Sequence, residues 1–183
     1  MSHDKLLSAI ASKGADIDRW TKNATVPPTW DARNQLMASF VAPGSSVVDV
    51  GAGAMSLKGY LPAGCTYQPV DVVQGAPETR IVNFNTRVVP TFDQKFDVAV
   101  CSGVMEYVLD PGFFIDTVRS WADRIVLSYV TTDIVADAKR RLDSGWVSKL
   151  SIVDLDELFS NAGLSYRIRA RWQAHLIYDL RAR

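Results

Sequence analysis

Apolar positions change their spacing three times along the chain. Up to about residue 40 they recur at helical intervals. Leu6, Leu7 and Ile10 share one side of a short helix expected over 3–12, and a second helix is expected from Trp30 to Phe40 with Thr29 as its cap. The stretch between them, RWTKNATVPP at 19–28, ends in two prolines and reads as a loop, and Pro43-Gly44 closes the lead-in. The centre then alternates. SSVVDV, TYQPVDVV, RIVNF, KFDVAVCS and DRIVLSYV predict five strands. MSLKGYL predicts a short helical piece stopped by Pro62, and PGFFIDTVRSWA a helix whose early proline removes an N–H that has no intrahelical partner anyway. The runs VVDV, FDVAV and RIVLSYV suit strands covered on both faces, so the centre reads as an open parallel α/β sheet.

The last third changes again. IVADAKRRL, 134–142, predicts a helix over the sheet edge. A clearer helix spans 151–162: Ser151 and Asp154 form a capping box, Ile152, Leu155, Leu158, Phe159 and Ala162 recur at helical spacing, and Gly163 terminates it. LSYRIRARW and AHLIYDLR alternate with almost nothing between them, and so short a joint demands an antiparallel pair. The expected fold is therefore a Rossmann-like open mixed α/β sheet of seven strands, with a C-terminal antiparallel hairpin and helices on both faces. Residues 41–183 form its single packed unit, and residues 1–40 a helical cap and candidate lid.

Composition narrows the function classes. The 183 residues are 48% apolar and 22% charged, as in a globular domain. Twenty basic and 20 acidic residues cancel, so no global field draws the chain to nucleic acid or to an anionic membrane. Cys65 and Cys101 form neither CxxC nor a secreted framework, and no stretch is apolar enough for export or a membrane span, which makes a reducing cytoplasm the default location. With only His3 and His175, and no HExxH, no metal site is expected.

The candidate chemistry lies in VVDVGAGAMSL, residues 47–57. A strand running into a glycine turn is where open α/β sheets bind ligands. Gly51 and Gly53 let a ligand lie against the backbone, and the N–H groups that follow favour an anionic group. No GKS or GKT follows, which excludes a P-loop. A dinucleotide site wants GxGxxG, whose third glycine is Ser56 here. Asp71, at the end of the second strand, has the spacing of the carboxylate that accepts both hydroxyls of a ribose. That feature suits any adenosine cofactor, and a plain turn is the structural alternative.

In order and spacing these segments resemble the class I S-adenosylmethionine-dependent methyltransferases, over roughly residues 30–181. VVDVGAGAM is similar to the family's first motif, with Met55 where a third glycine often stands. YQPVDVV is similar to its acidic second strand, and IVNFN to the segment that brackets an adenine. FDVAVCSGVMEYV is similar to its fourth strand and turn, with Tyr107 where histidine is common. GWVSKLSIVDLDELFSNAGL and the terminal hairpin complete the match. The resemblance implies S-adenosyl-L-methionine as cofactor and methyl transfer to an oxygen or nitrogen of a small molecule. It implies cofactor contacts at Asp49, Gly51, Gly53, Asp71, Asn85, Thr86, Cys101 and Ser102. Met55 fits if its side chain turns into the helix–sheet contact, and Asn85 keeps an acceptor oxygen for an adenine amine.

The acceptor side is less legible. Tyr129, Asp133 and His175 are the general-base candidates near strand ends, Trp20, Trp30 and Trp146 the candidate pocket walls, and Glu106 is expected mainly to hold local backbone. Lys139, Arg140 and Arg141 lie between the fifth strand and the capped helix, where the family this sequence resembles commonly builds its acceptor pocket, so the resemblance implies room for an acidic acceptor. Arg167, Arg169 and Arg171 alternate on one strand face, and with Arg181 and Arg183 nearby they offer a second basic patch, although charges on an outer strand also block edge-to-edge pairing. Little aromatic interleaving of the RNA-binding kind accompanies them, which disfavours nucleic acid. The exposed edge and the amphipathic first helix are compatible with a homodimer. Two readings compete with methyl transfer: a non-catalytic cofactor-binding or assembly module, and a nicotinamide-dependent oxidoreductase.

Overall fold

The computed structural model describes residues 8, 10, 12–22 and 28–183. Most of the helix expected over 3–12 lies outside the described residues, although Ser8, Ile10, Ser12 and Lys13 are helical. The segment read as a loop at 19–28 holds a helix instead, α1 (Ile17–Lys22). Its start is fixed by a local bond, since the Arg19 N–H donates to Asp16 Oδ1 at 3.2 Å. So short a helix leaves no apolar period to read. Helix α2 runs Pro28–Ala38, so Thr29 lies inside it rather than capping it. Proline opens the helix at the one turn where its missing N–H is harmless.

The central elements follow as β1 (Ser46–Val50), a 3₁₀ turn (Ser56–Tyr60), β2 (Thr66–Asp71) and β3 (Arg80–Ile81). After them come β4 (Val98–Ser102), α3 (Pro111–Trp121) and β5 (Arg124–Tyr129). The third strand is shorter than its apolar run because Asn83 ends it. The Asn83 side chain accepts the N–H groups of Asn85 (3.1 Å) and Thr86 (3.3 Å) and starts a 3₁₀ turn over Phe84–Thr86. The helix expected over 134–142 begins later, as α4 (Ala138–Asp143) capped by Asp137. Helix α5 (Ile152–Asn161) has the expected capping box. Strands β6 (Leu164–Trp172) and β7 (His175–Ala182) form the antiparallel hairpin.

The sheet order is β3-β2-β1-β4-β5-β7-β6. All pairings from β3 to β5 are parallel, and β7 runs antiparallel between β5 and β6. This is the mixed seven-stranded sheet expected from the sequence. Strand alternation divides its core in two. Val48, Val50, Ala99, Cys101, Ile125 and Leu127 pack with Phe114, Val118, Leu155 and Phe159 of α3 and α5. Val47, Val98, Val100 and Val126 pack with Met37 and Ala38 of α2 on the opposite face. The Arg124 guanidinium fork donates to Asp179 at 2.7 and 2.8 Å and to the Phe40 carbonyl at 2.7 Å, which ties β5 and β7 to the end of α2. Among the described residues no helix is long and apolar enough to cross a membrane.

Chain order reverses between β1 and β4: the chain leaves β1 toward β2 on one side, while β4 lies on the other. A crevice opens outside the carboxyl ends of the strands at such a point.

Candidate functional site

The crevice is a cavity of about 600 Å³. Asp49, Gly51, Gly53, Asp71, Asn85 and Ser102 all line it. The turn after β1 is held by the Gly51 and Ala52 N–H groups, which donate to the Val70 carbonyl at 2.9 and 3.1 Å. Gly51 has φ +76°, and a Cβ there would lie 3.0 Å from Val104 Cγ2. A side chain at Gly51 would therefore strain the turn and crowd Val104 at the floor of the cavity.

Asp71 closes the turn from the β2 side. One carboxylate oxygen accepts the Gly53 N–H at 2.8 Å and the other the Val73 N–H at 3.0 Å. Burial raises its pKa and these backbone bonds oppose the rise. Each oxygen keeps a second lone pair toward the cavity. Asp49 lies deeper, 2% exposed, and accepts the Tyr67 hydroxyl at 2.6 Å. Burial pushes its pKa up to about 7, with the Tyr67 hydrogen bond pulling it down and Asp71 pushing it up further.

This shift predicts a pH dependence. A folded pKa raised above about 3.9 favours the folded state at low pH. Asp49 therefore contributes fully below about pH 4, and its contribution drains away as pH rises through 7. The loss is on the order of 4 kcal/mol for the unliganded protein. Urea melts across this range should show a downward slope that is shallower in Asp49→Asn, and equal slopes would contradict a buried, protonated Asp49.

Three expectations about the site need correction, and a fourth residue, Asn85, is tied down more than the sequence suggests. Cys101 does not line the cavity. It is fully buried on the α3–α5 face with Ala99, and burial pushes its thiol well up, so it offers neither contact nor nucleophile. Thr86 does not line the cavity either; its hydroxyl donates to the Asn83 carbonyl at 3.4 Å. Asn85 lines the cavity with its amide N–H groups engaged, while Oδ1 keeps one lone pair. Nδ2 donates to the carbonyls of Gly14 (2.8 Å) and Tyr107 (3.0 Å), and Oδ1 accepts the Leu109 N–H at 2.8 Å. Its side chain thus ties the N-terminal segment to the turn after β4. Met55 faces the cavity, with left-handed φ 57°. Its position calls for the conformation glycine adopts freely, which costs a residue with a side chain about 1–2 kcal/mol. Met55→Gly should raise stability by about 0.5–1 kcal/mol once the greater freedom of unfolded glycine is deducted, as a thermal melt can check.

One end of the cavity lies near the carboxyl end of β4, lined by Ser102, Gly103 and Val104. Trp20, Trp30 and Trp146 form walls there, and Trp20 packs edge-on to Tyr107 with centroids 4.7 Å apart. His175 lines the cavity, whereas Tyr129 and Asp133 do not. The Tyr129 hydroxyl meets Ser148 Oγ at 2.7 Å, and Asp133 accepts the Ile152 N–H at 2.7 Å. Glu106 is fully buried and accepts the Val130 N–H at 3.1 Å, the structural task expected of it.

The basic runs lie elsewhere. Arg141 is buried beneath Trp146, and Lys139 pairs with Asp143 at 2.6 Å. Arg167, Arg169 and Arg171 are exposed on β6, where a register shift between Ile168 and Ala170 interrupts their alternation.

Sequence reasoning passed over Arg33 and Asn34 of α2. Arg33 is 6% exposed at the cavity wall, and burial works against its charge. Asn34 joins the two glycine turns, accepting the Ser102 hydroxyl at 2.6 Å and donating to Ser56 Oγ at 2.6 Å. The available signal was helical spacing: Arg33 precedes buried Met37 by one turn and so sits on the core stripe of α2.

No protein-family model and no curated protein sequence matches the chain. Solved structures do. One is a Burkholderia thailandensis 1,6-didemethyltoxoflavin-N1-methyltransferase with bound 1,6-didemethyltoxoflavin and S-adenosylhomocysteine (17% identity, TM-score 0.60, 98% of this chain and 86% of that one). A second is CalO1, a methyltransferase in calicheamicin biosynthesis, bound to S-adenosylhomocysteine (19%, 0.62, 84% and 54%). A third is the [4+2]-cyclase SpnF (16%, 0.58, 74% and 57%). At such identities the likeness speaks for architecture alone: the chain has the class I S-adenosylmethionine-dependent methyltransferase fold.

Proposed function

We propose that this protein binds S-adenosyl-L-methionine and transfers its methyl group to an oxygen or nitrogen of a small molecule. The observation that carries the proposal is the convergence, in one cavity, of the glycine turn after β1 and two carboxylates of different burial, Asp49 and Asp71. The fit can be judged on the residues themselves. Gly53 would meet nothing within 4 Å if it carried a Cβ, so there is open space against the turn. Asp71 has acceptor capacity for ribose hydroxyls, and Val72, Val73, Val82 and Phe84 offer an apolar bed for a base. Asp49, once ionised, suits an ammonium. Methyl and nicotinamide cofactors share the adenosine features, but the missing third glycine favours the former.

When bound, S-adenosylmethionine supplies a sulfonium methyl group that an acceptor lone pair can take. The protein's part is to hold the acceptor in line beside it, an arrangement that accounts for up to about 7–11 kcal/mol in ideal cases. Because Asp49 ionises near pH 7, affinity for the ammonium-bearing cofactor should rise as pH climbs through that value. The fold also occurs in the cyclase SpnF, so turnover is the deciding test. Incubation with methyl-labelled cofactor and a panel of small hydroxyl and amine compounds should yield a labelled product and S-adenosylhomocysteine. Binding of NAD with no response to S-adenosylmethionine would select an oxidoreductase instead.

A further inference from the structure

Arg33 is a buried cation whose immediate partners are neutral. Nε donates to Ser102 Oγ at 2.9 Å, Nη2 to the Ser102 carbonyl at 3.1 Å, and Nη1 to His175 Nε2 at 3.1 Å. These bonds use three of the five N–H groups of a guanidinium. None of the ion pairs among the described residues includes Arg33. The rings of Trp30 and Trp172 stand 5.9 and 5.7 Å from its carbon. Gly103, at φ +66°, makes room for it: a Cβ there would lie 2.5 Å from Nη1. A strand end, a glycine, a histidine and two indoles are thus arranged around one guanidinium at the cavity wall.

The neighbouring titratable groups leave that charge unmatched at close range. Glu106 is the nearest carboxylate in the electrostatics of Arg33, but His175 stands between them, its Nδ1 3.5 Å from Glu106 Oε1. With Nε2 accepting from Arg33, His175 carries its proton on Nδ1 and has no lone pair free for a substrate. Cys101, Tyr129 and Asp133 do not line the cavity. Among the described residues, this end therefore has a fixed cation and aromatic walls, and of the expected base candidates only His175 lines it, with no lone pair to spare. Glu106 offsets the buried charge only through His175, and a ligand that brings an anion into direct contact recovers more of the burial cost.

We infer that this site takes an aromatic small molecule already ionised as an oxyanion, a carboxylate or phenolate, with Arg33 as its charge partner. Such a molecule needs no proton removed by the protein before it reacts. Its role as acceptor rests on the methyltransferase reading; the anion site does not.

The test is calorimetry on the wild-type protein with three probes of matched shape: cinnamate, cinnamamide and cinnamylamine, each with and without S-adenosylhomocysteine. Cinnamate should bind roughly 10-fold or more tightly than the amide, and the amine least. Arg33→Met should erase the preference for cinnamate. Arg33→Lys should keep part of it, because the charge remains while the planar fork is lost, and this variant serves if the methionine variant fails to fold. Equal affinity for cinnamate and the amide, or no heat with cinnamate at millimolar concentrations, overturns the inference. Preference for cinnamate in a protein that ignores S-adenosylhomocysteine upholds the anion site and overturns the cofactor reading. The reverse pattern overturns the anion site and leaves the cofactor reading standing.

Discussion

Alanine at Asp71 is expected to weaken S-adenosylhomocysteine binding by roughly 10- to 150-fold, the equivalent of about 1.5–3 kcal/mol for hydrogen bonds lost to a charged acceptor. The carboxylate stands at the end of β2 with its oxygens on the Gly53 and Val73 N–H groups at 2.8 and 3.0 Å. It therefore has two tasks, bracing the glycine turn and accepting ribose hydroxyls. The variant loses both, and its two freed N–H groups lie at a half-buried position that water can reach. The fold should survive, because the sheet core does not include Asp71. Affinity and circular dichroism should be measured on the same preparation. A folded variant with unchanged affinity would remove Asp71 from the site, and with it the strongest support for an adenosine cofactor. Asp71→Asn refines the result: it keeps one acceptor oxygen but places an N–H₂ against one of the backbone donors, so its loss should be of similar size.

Methionine at Arg141 should produce the largest stability change, about 3–5 kcal/mol, because several buried acceptors lose their donor at once. Arg141 is 2% exposed. Nη1 donates to the carbonyls of Val130 (3.0 Å) and Val135 (3.4 Å), and Nη2 to the Ser148 carbonyl (2.8 Å) and the Tyr129 hydroxyl (3.5 Å). The guanidinium thus gathers the end of β5, the segment before α4 and the loop after it. Its carbon also lies 5.3 Å from the ring of Trp146, a cavity wall. Methionine fills much of the volume but offers no donor. For a chain of this size the loss corresponds to a melting point lower by roughly 6–20 °C. A shift below about 1 kcal/mol would mean that these carbonyls find other partners and that the network does not set the loop.

The sequence exposed some of these features and hid others for physical reasons. Strands were readable because fully covered strands leave continuous apolar runs such as VVDV and FDVAV. The terminal hairpin was readable because only Gln173 and Ala174 separate two alternating segments. The glycine turn, Asp49 and Asp71 could be found because close backbone approach and strand-end position are properties of local sequence. Cys101 misled because strand-end proximity was read without the alternation that turns its side chain into the α3–α5 core. The ties of Asn85 were hidden because side-chain chemistry does not reveal which backbone groups distant in sequence, here those of Gly14, Tyr107 and Leu109, it binds. Helix α1 was invisible because six residues with one local cap carry no period. Arg33 shows the limit most clearly. Its partners Ser102 and His175 are 69 and 142 positions away, so only folding reveals a cation at the wall. Its single trace in the sequence, an arginine on the core stripe of a helix, is equally the mark of an ordinary snorkelling side chain.

The central claim is that the crevice at the β1–β4 reversal holds an adenosyl cofactor whose α-ammonium group reaches Asp49. Titration calorimetry with S-adenosylhomocysteine at three pH values around 7, with NAD as the comparison ligand, tests it most directly. The account predicts saturable binding of one molecule per chain, tightening as pH rises through about 7, with no such pH dependence in Asp49→Asn and no saturable response to NAD. Absence of saturable binding by S-adenosylhomocysteine at any of these pH values, or preferential binding of NAD, would contradict it.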